Sequence, residues 1–151
     1  MTNKKKMLTV NEAIKKITSN FSILDDEEIE LTSATGRILA KPIISKINNP
    51  ISDVSSMDGY AICSKNLLKK YKVVGESSAG KPYNKKVKKT ETIRIYTGSV
   101  MPEGTDSVLI QENVKLKKNI ITDLNYSNFF KKQNVRKKGL NFKQGEIILQ
   151  K

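Results

Sequence analysis

The chain has 151 residues and a formal net charge of +13, with 28 Lys and Arg against 15 Asp and Glu, and 37% of its residues are hydrophobic. It has no histidine and one cysteine, which excludes a histidine general base, a histidine metal site and an internal disulfide. Such a length supports one domain or two small ones without covalent staples. Cys63 lies in a strand-like run and reads as a small core residue, not as a nucleophile. No apolar run approaches the roughly 20 residues that span a bilayer. The basic start "MTNKKKMLTV" has no apolar segment behind it. These features lead to the expectation of a soluble, cytoplasmic protein without membrane contact.

The charge invites a nucleic-acid reading, but only Arg37, Arg94 and Arg136 are arginine, and a nucleic-acid groove favours arginine's planar fork. The lysines are scattered, densest at 4–6, 85–89 and 131–138. Isoleucine and asparagine are abundant and tryptophan is absent, a bias that fills solvated positions with lysine. Nucleic-acid binding is not expected. A positive potential that gathers an anionic small molecule fits better.

In chain order, "LTVNEAIKKITSNF" (8–21) reads as an amphipathic helix, with Ala13, Ile14, Ile17 and Phe21 on one face. Thr9 and Glu12 form a capping box at its start. An acidic stretch, "DDEEIE", follows, and Gly36 punctuates the next segment. "RILAKPIIS" has strand content, bent or at an edge because of Pro42. "NNPISDVSS" is turn-rich and reads as a linker. Short strands come next: "YAIC", "KYKVVGE", "TIRIYTG", "SVLIQENVKLK" and "NIITDL", with "EIILQ" near the end. Strands of that length with Gly, Pro and Asn separators predict a small barrel or sandwich. The expected fold class is α+β, mostly β.

Three connectors carry more polar groups than a connector needs. "SSMDGYAI" sets Asp58 beside Gly59 where a loop enters a strand. Asp-Gly is a turn dipeptide, and a glycine also allows close approach of a ligand. "RIYTGSVMPEGTDSVLIQE" places Thr97 and Gly98 after a strand and Glu112 late in the next one. Such a corner can hold an oxyanion with its hydroxyl and N–H groups. "NVRKKG" adds Arg136.

"LTVNEAIKKI", "LTSATGRILAKPIIS", "SSMDGYAI", "SAGKPY", "IRIYTGSVMPEGTDSVLIQE" and "NVRKKG" occur here in one order, and in that order the chain resembles the molybdopterin molybdenumtransferase family, the MoeA and gephyrin E-domain type. The resemblance runs from about residue 7 to about residue 149. Members are roughly 400 residues long, far beyond one domain's usual size.

The resemblance implies a small mixed lobe with the N-terminal helix, from 1–48 and 134–151, and an inserted β-barrel-like lobe, 52–130. It also implies that a molybdopterin-binding α/β domain and a final β-domain lie outside this chain. The family's activity is insertion of molybdate into adenylylated molybdopterin with release of AMP, assisted by magnesium, at the interface of a homodimer. The resemblance implies that this chain holds one side of that site and is inactive without the α/β domain in cis or trans. The alternative is a non-catalytic module of the same fold for dimerisation or protein binding.

Carried onto this sequence, Asp58 matches the aspartate of "MDGYA" and Thr97 the threonine of the family's "TGA" motif, both in catalytic roles. Ser55, Ser56, Gly98 and Arg136 take substrate-binding roles, and the metal ligands are unassigned. Three differences stand in or beside the first motif: Ser52, Val54 and Ser56 replace Phe, Asn and Ala. After Arg136 the family's "GeD" becomes Gly139-Leu140-Asn141, so Asn141 stands where an aspartate is usual and lacks its charge.

Overall fold

A computed structural model describes residues 7–126, 130 and 132–151. Lys4, Lys5, Lys6 and Lys131 of the lysine groups lie outside the described residues. Contacts divide the chain into two compact units, Met1–Ala40 with Lys151, and Lys41–Gln150. No helix among the described residues is long and apolar enough to cross a membrane.

The first unit is built on α1 (Val10–Thr18). The expected capping box is formed: the Glu12 N–H donates to the Thr9 hydroxyl at 3.3 Å, and the Thr9 N–H donates to the Glu12 carboxylate at 2.8 Å. These bonds to Thr9 hold the Glu12 carboxyl below the usual range. The helix stops before the predicted Phe21. Thr18 and Ser19 hydroxyls and the Asn20 carboxamide donate back to carbonyls of Ile14 and Lys16, offering the backbone an ending. No residue of α1 is buried. Beyond it come a single 3-10 turn, Leu31–Ser33, and Gly36 at φ +80°.

The second unit is strand-built, and the molecule as a whole is α+β, mostly β, as predicted. A two-residue strand, β1 (Ile43–Ile44), pairs with β10 (Ile147–Leu149), so "RILAKPIIS" yields strand only at its end. Another short pair joins β2 (Val54–Ser55) to β9 (Val135–Arg136). The main sheet has six strands in the order β6-β3-β5-β4-β8-β7 and curls into a half-barrel. These are β3 (Gly59–Ile62), β4 (Lys70–Ser77), β5 (Glu91–Ile95), β6 (Ser107–Ile110), β7 (Val114–Lys117) and β8 (Ile120–Asp123).

Two elements differ from the sequence reading. "NNPISDVSS" is no mere linker, because it contributes β2. "SVLIQENVKLK" is two strands, since Gln111–Asn113 turns in a 3-10 helix. The break is required by topology: β6 pairs with β3 and β7 with β8, at opposite edges of the sheet.

Both faces of the sheet carry apolar packing, as the alternation of side chains dictates. Tyr60, Ile62, Tyr71, Leu109 and Ile121 form one buried cluster. Ala61, Val87, Ile93, Ile95 and Val108 form the other. All four residues of β3 are buried, between β6 and β5. Asp58 therefore enters the most fully buried strand of the sheet.

Candidate functional site

β2 is the hub of the site. On one side the Ser55 N–H donates to the Ser99 carbonyl at 2.9 Å, and the Gly98 N–H donates to the Ser55 carbonyl at 2.8 Å. On the other side β9 pairs Val54 with Arg136 and Ser55 with Val135, and the Ser56 N–H reaches the Asn134 carbonyl at 3.0 Å. Gly98 and Arg136, distant in sequence, are thus laced to the strand that carries Ser55 and precedes Ser56, and Thr97 adjoins Gly98.

Asp58 joins this assembly through Thr97. The Thr97 N–H and hydroxyl both donate to Asp58 Oδ1, each at 2.8 Å. Asp58 also anchors the next turn, since its carbonyl accepts the Gln111 N–H at 3.1 Å. The Thr97 N–H, then the Thr97 hydroxyl, hold the Asp58 carboxyl below the usual aspartate range; burial opposes them more weakly, and the charge of Arg94 adds a still smaller lowering. Local hydrogen bonds keep this group ionised. Both bonds fall on Oδ1, so the second oxygen retains acceptor capacity for an incoming group.

Arg94 is a site residue that motif reading did not single out. Its guanidinium lies 5.2 Å from the Tyr60 ring centroid and 5.0 Å from that of Tyr96, and it donates to the Gln111 side chain. Stacking fixes the cation beside Asp58. The signal was available in composition: in a chain so rich in lysine, each arginine marks a place where a planar cation is needed.

Two local readings are corrected. Gly59 is not the second half of a turn and does not make room for a ligand. It is the first residue of β3, and a Cβ there would lie 2.0 Å from the Leu109 carbonyl oxygen. The glycine lets β6 close on β3. The Thr97-Gly98 corner is not an open anion cradle either. The N–H groups of Thr97, Gly98 and Ser99 go to Asp58, Ser55 and Tyr96 respectively. Gly98 serves the turn itself, at φ +82° with nothing within 4 Å of an added Cβ. Glu112 lies in the 3-10 turn and not in a strand.

Ser55 is fully buried, and its hydroxyl donates to the Met57 carbonyl, shaping the approach to Asp58. Ser99 is also buried, yet its hydroxyl has no partner among the described residues. On the β9 flank, Arg136 is exposed and donates from Nη2 to Asn141 Oδ1 at 3.0 Å. The Asn141 carboxamide in turn donates to Asn49 at 3.3 Å. The Lys138 N–H on Asp53 Oδ1 at 2.8 Å fastens the same loop. Asn141 thus sits beside the arginine, where an aspartate would form an ion pair.

Comparison with known proteins fits this geometry. The family described as "MoeA N-terminal region (domain I and II)" matches residues 8–151. A molybdopterin molybdenumtransferase of Haemophilus influenzae is 36% identical over 148 residues, covering 95% of this chain and 36% of the relative. One from Staphylococcus aureus is 29% identical over 157 residues, with 98% and 36% covered. The crystal structure of the molybdopterin biosynthesis moeA protein of Pyrococcus horikoshii OT3 superposes with a TM-score of 0.87 at 29% identity, over 97% of this chain and 40% of that one. The chain spans little more than a third of the length of these relatives. Its motifs, its half-barrel and its matched length lead to one assignment: the chain belongs to the family of MoeA N-terminal regions, domains I and II.

Proposed function

We propose that this chain supplies the carboxylate-bearing side of a site that inserts molybdate into adenylylated molybdopterin and releases AMP. The observation that carries the reading is Asp58, kept ionised by the N–H and hydroxyl of Thr97 at 2.8 Å. Asp58 orients the reacting groups and accepts a hydrogen bond or proton on its second oxygen. Thr97 fixes that carboxylate, while Gly98, Ser55 and Ser56 hold the turn in place. Arg136 offers a cation to a phosphate-bearing substrate. The partners are the α/β molybdopterin-binding domain, in cis or trans, and a second copy in a homodimer. By itself the chain does not turn over.

The family resemblance also implies magnesium. No group of three or more Asp, Glu or Cys that could hold a metal ion exists among the described residues. Asp58 has one oxygen already engaged, and Asn141 contributes a carboxamide that Arg136 already bonds. This donor set does not hold the ion on its own.

The division into a lobe of 1–48 with 134–151 and an inserted lobe of 52–130 belongs to the same proposal. The β1–β10 pair and the Asn49–Phe142 bridge, which return the chain's end to the segment before β2, support it. A second reading, a non-catalytic protein-binding module, is favoured by the apolar face that α1 exposes at Ile14 and Ile17. The two readings part in a chain extended to the full length of its relatives. Under the first reading that chain inserts molybdate and Asp58→Asn abolishes the insertion; under the second no insertion is measured with or without the substitution.

A further inference from the structure

The sheet is covered unequally. Over β5, β3 and β6 its second face carries the cluster of Val87, Ile93 and Val108, with Tyr83 and Met101 packed on it. Over the start of β4, before Val74 joins that cluster, and over β8 and β7, the same face is bare and cationic. Register places Lys70 and Lys115 on either side of Thr122, and Lys72 and Lys117 on either side of Ile120. Side chains that share a register row share a face, so the four lysines form a grid with rows about 10 Å wide and about 7 Å apart. Lys118, in the two-residue turn to β8, extends it. All five are exposed, and none makes an ion pair among the described residues. The nearest acid in the register, Glu91 opposite Lys72, accepts the Lys88 N–H at 3.1 Å.

β7 is also the last strand of the sheet, paired only with β8. The Leu124 N–H donates to the Asn113 carbonyl at 2.9 Å, which fixes the alternation of bonded pairs along the hairpin. Lys115 and Lys117 bond inward to β8. Leu116 directs its N–H and carbonyl outward. Its side chain lies on the opposite face from the lysines, in register with buried Ile121, and is 54% exposed at the rim of the Tyr60–Ile121 cluster.

We propose that the β7 edge receives an extended segment of a protein partner as an added strand, in which acidic and apolar residues alternate. The added backbone bonds Leu116. Its acidic side chains lie beside Lys115 and Lys117 on the bare face, and its apolar side chains extend the cluster behind Leu116. Charge complementarity alone would also admit a nucleic acid, but three features favour the peptide. The grid contains no arginine. Its central positions are Thr122 and Ile120, with no aromatic ring to stack a base. The outward N–H and carbonyl of Leu116 match a peptide backbone.

The test titrates the 151-residue chain with a labelled ten-residue peptide alternating glutamate with valine. Three competitors accompany it: the same residues with the glutamates in one block, the alternating peptide N-methylated on its bonding edge, and a single-stranded oligonucleotide of equal charge. Binding of the alternating peptide is expected, weakened at least about tenfold by the Lys115→Glu/Lys117→Glu variant and by raised salt. The block and N-methylated peptides are expected to bind at least about tenfold more weakly. A melting curve checks that the variant, altered only at exposed positions, remains folded. Absence of binding returns the lysines to guarding an edge against aggregation and overturns the proposal. Equal binding of the block or N-methylated peptide, or tighter binding of the oligonucleotide, overturns it as well.

Discussion

On one flank of β2 an aspartate takes two hydrogen bonds of 2.8 Å from a single threonine. On the other flank an arginine donates at 3.0 Å to an asparagine. The first arrangement favours a charged form, because both donors strengthen as the acceptor ionises. The second joins a cation to a neutral amide, and Arg136 makes no ion pair among the described residues. The same strand therefore presents a fixed anion on one side and a cation held by a neutral amide on the other. The difference shows where this chain keeps its chemistry: the acid is built in on the Thr97 side and missing on the Arg136 side.

The sharpest way to break that comparison is to remove the acid. In a chain extended to full family length, Asp58→Asn is expected to lower molybdate insertion by at least about 100-fold, the scale for losing a preorganised electrostatic group. Circular dichroism of the 151-residue variant should show an unchanged fold. Thr97→Ala removes the hydroxyl but keeps the stronger backbone donor. A loss of about tenfold is expected, measured in the same assay.

Two smaller effects sharpen the comparison through stability. Ser99→Ala is expected to raise unfolding free energy by about 1 kcal/mol, because it deletes a buried hydroxyl that has no partner among the described residues. Ser55→Ala, its neighbour across the β2 contact, should lower it by about the same amount, since that hydroxyl is bonded to Met57. Urea titration distinguishes the two. On the other flank, Asn141→Asp makes an exposed ion pair with Arg136 and is expected to add no more than about 1 kcal/mol. It should leave the 151-residue chain without turnover.

The features legible in sequence were those set by nearest neighbours. Thr9 and Glu12 announce a helix start, and Gly98 after a β-branched run announces a turn. The mostly-β class follows from the same punctuation. What escaped was set across the chain. β2 and β9 are two residues each, too short for any alternation to show, and they exist because Ser55 finds Val135 and Ser99. Gly59 looked like a turn residue because its neighbour is aspartate. Its reason lies fifty residues away, in the Leu109 carbonyl. Family motifs pointed to Asp58 and Thr97 separately. That one bonds the other, and that Arg94 is stacked beside them, needed the register of β3 against β5.

The central claim is that Asp58 is a carboxylate held ionised by Thr97. Its most direct test is a carbon-13 NMR titration of the Asp58 side chain in the 151-residue protein and in Thr97→Ala. A folded-state pKa below the unfolded value means that the stability Asp58 contributes is present above the unfolded pKa and is lost as pH falls through the folded one. The expected result is a midpoint below the ordinary aspartate value, rising in Thr97→Ala but not reaching it, because the backbone donor remains. A midpoint at or above the ordinary value in the unaltered protein, or one that Thr97→Ala does not move, would contradict the account.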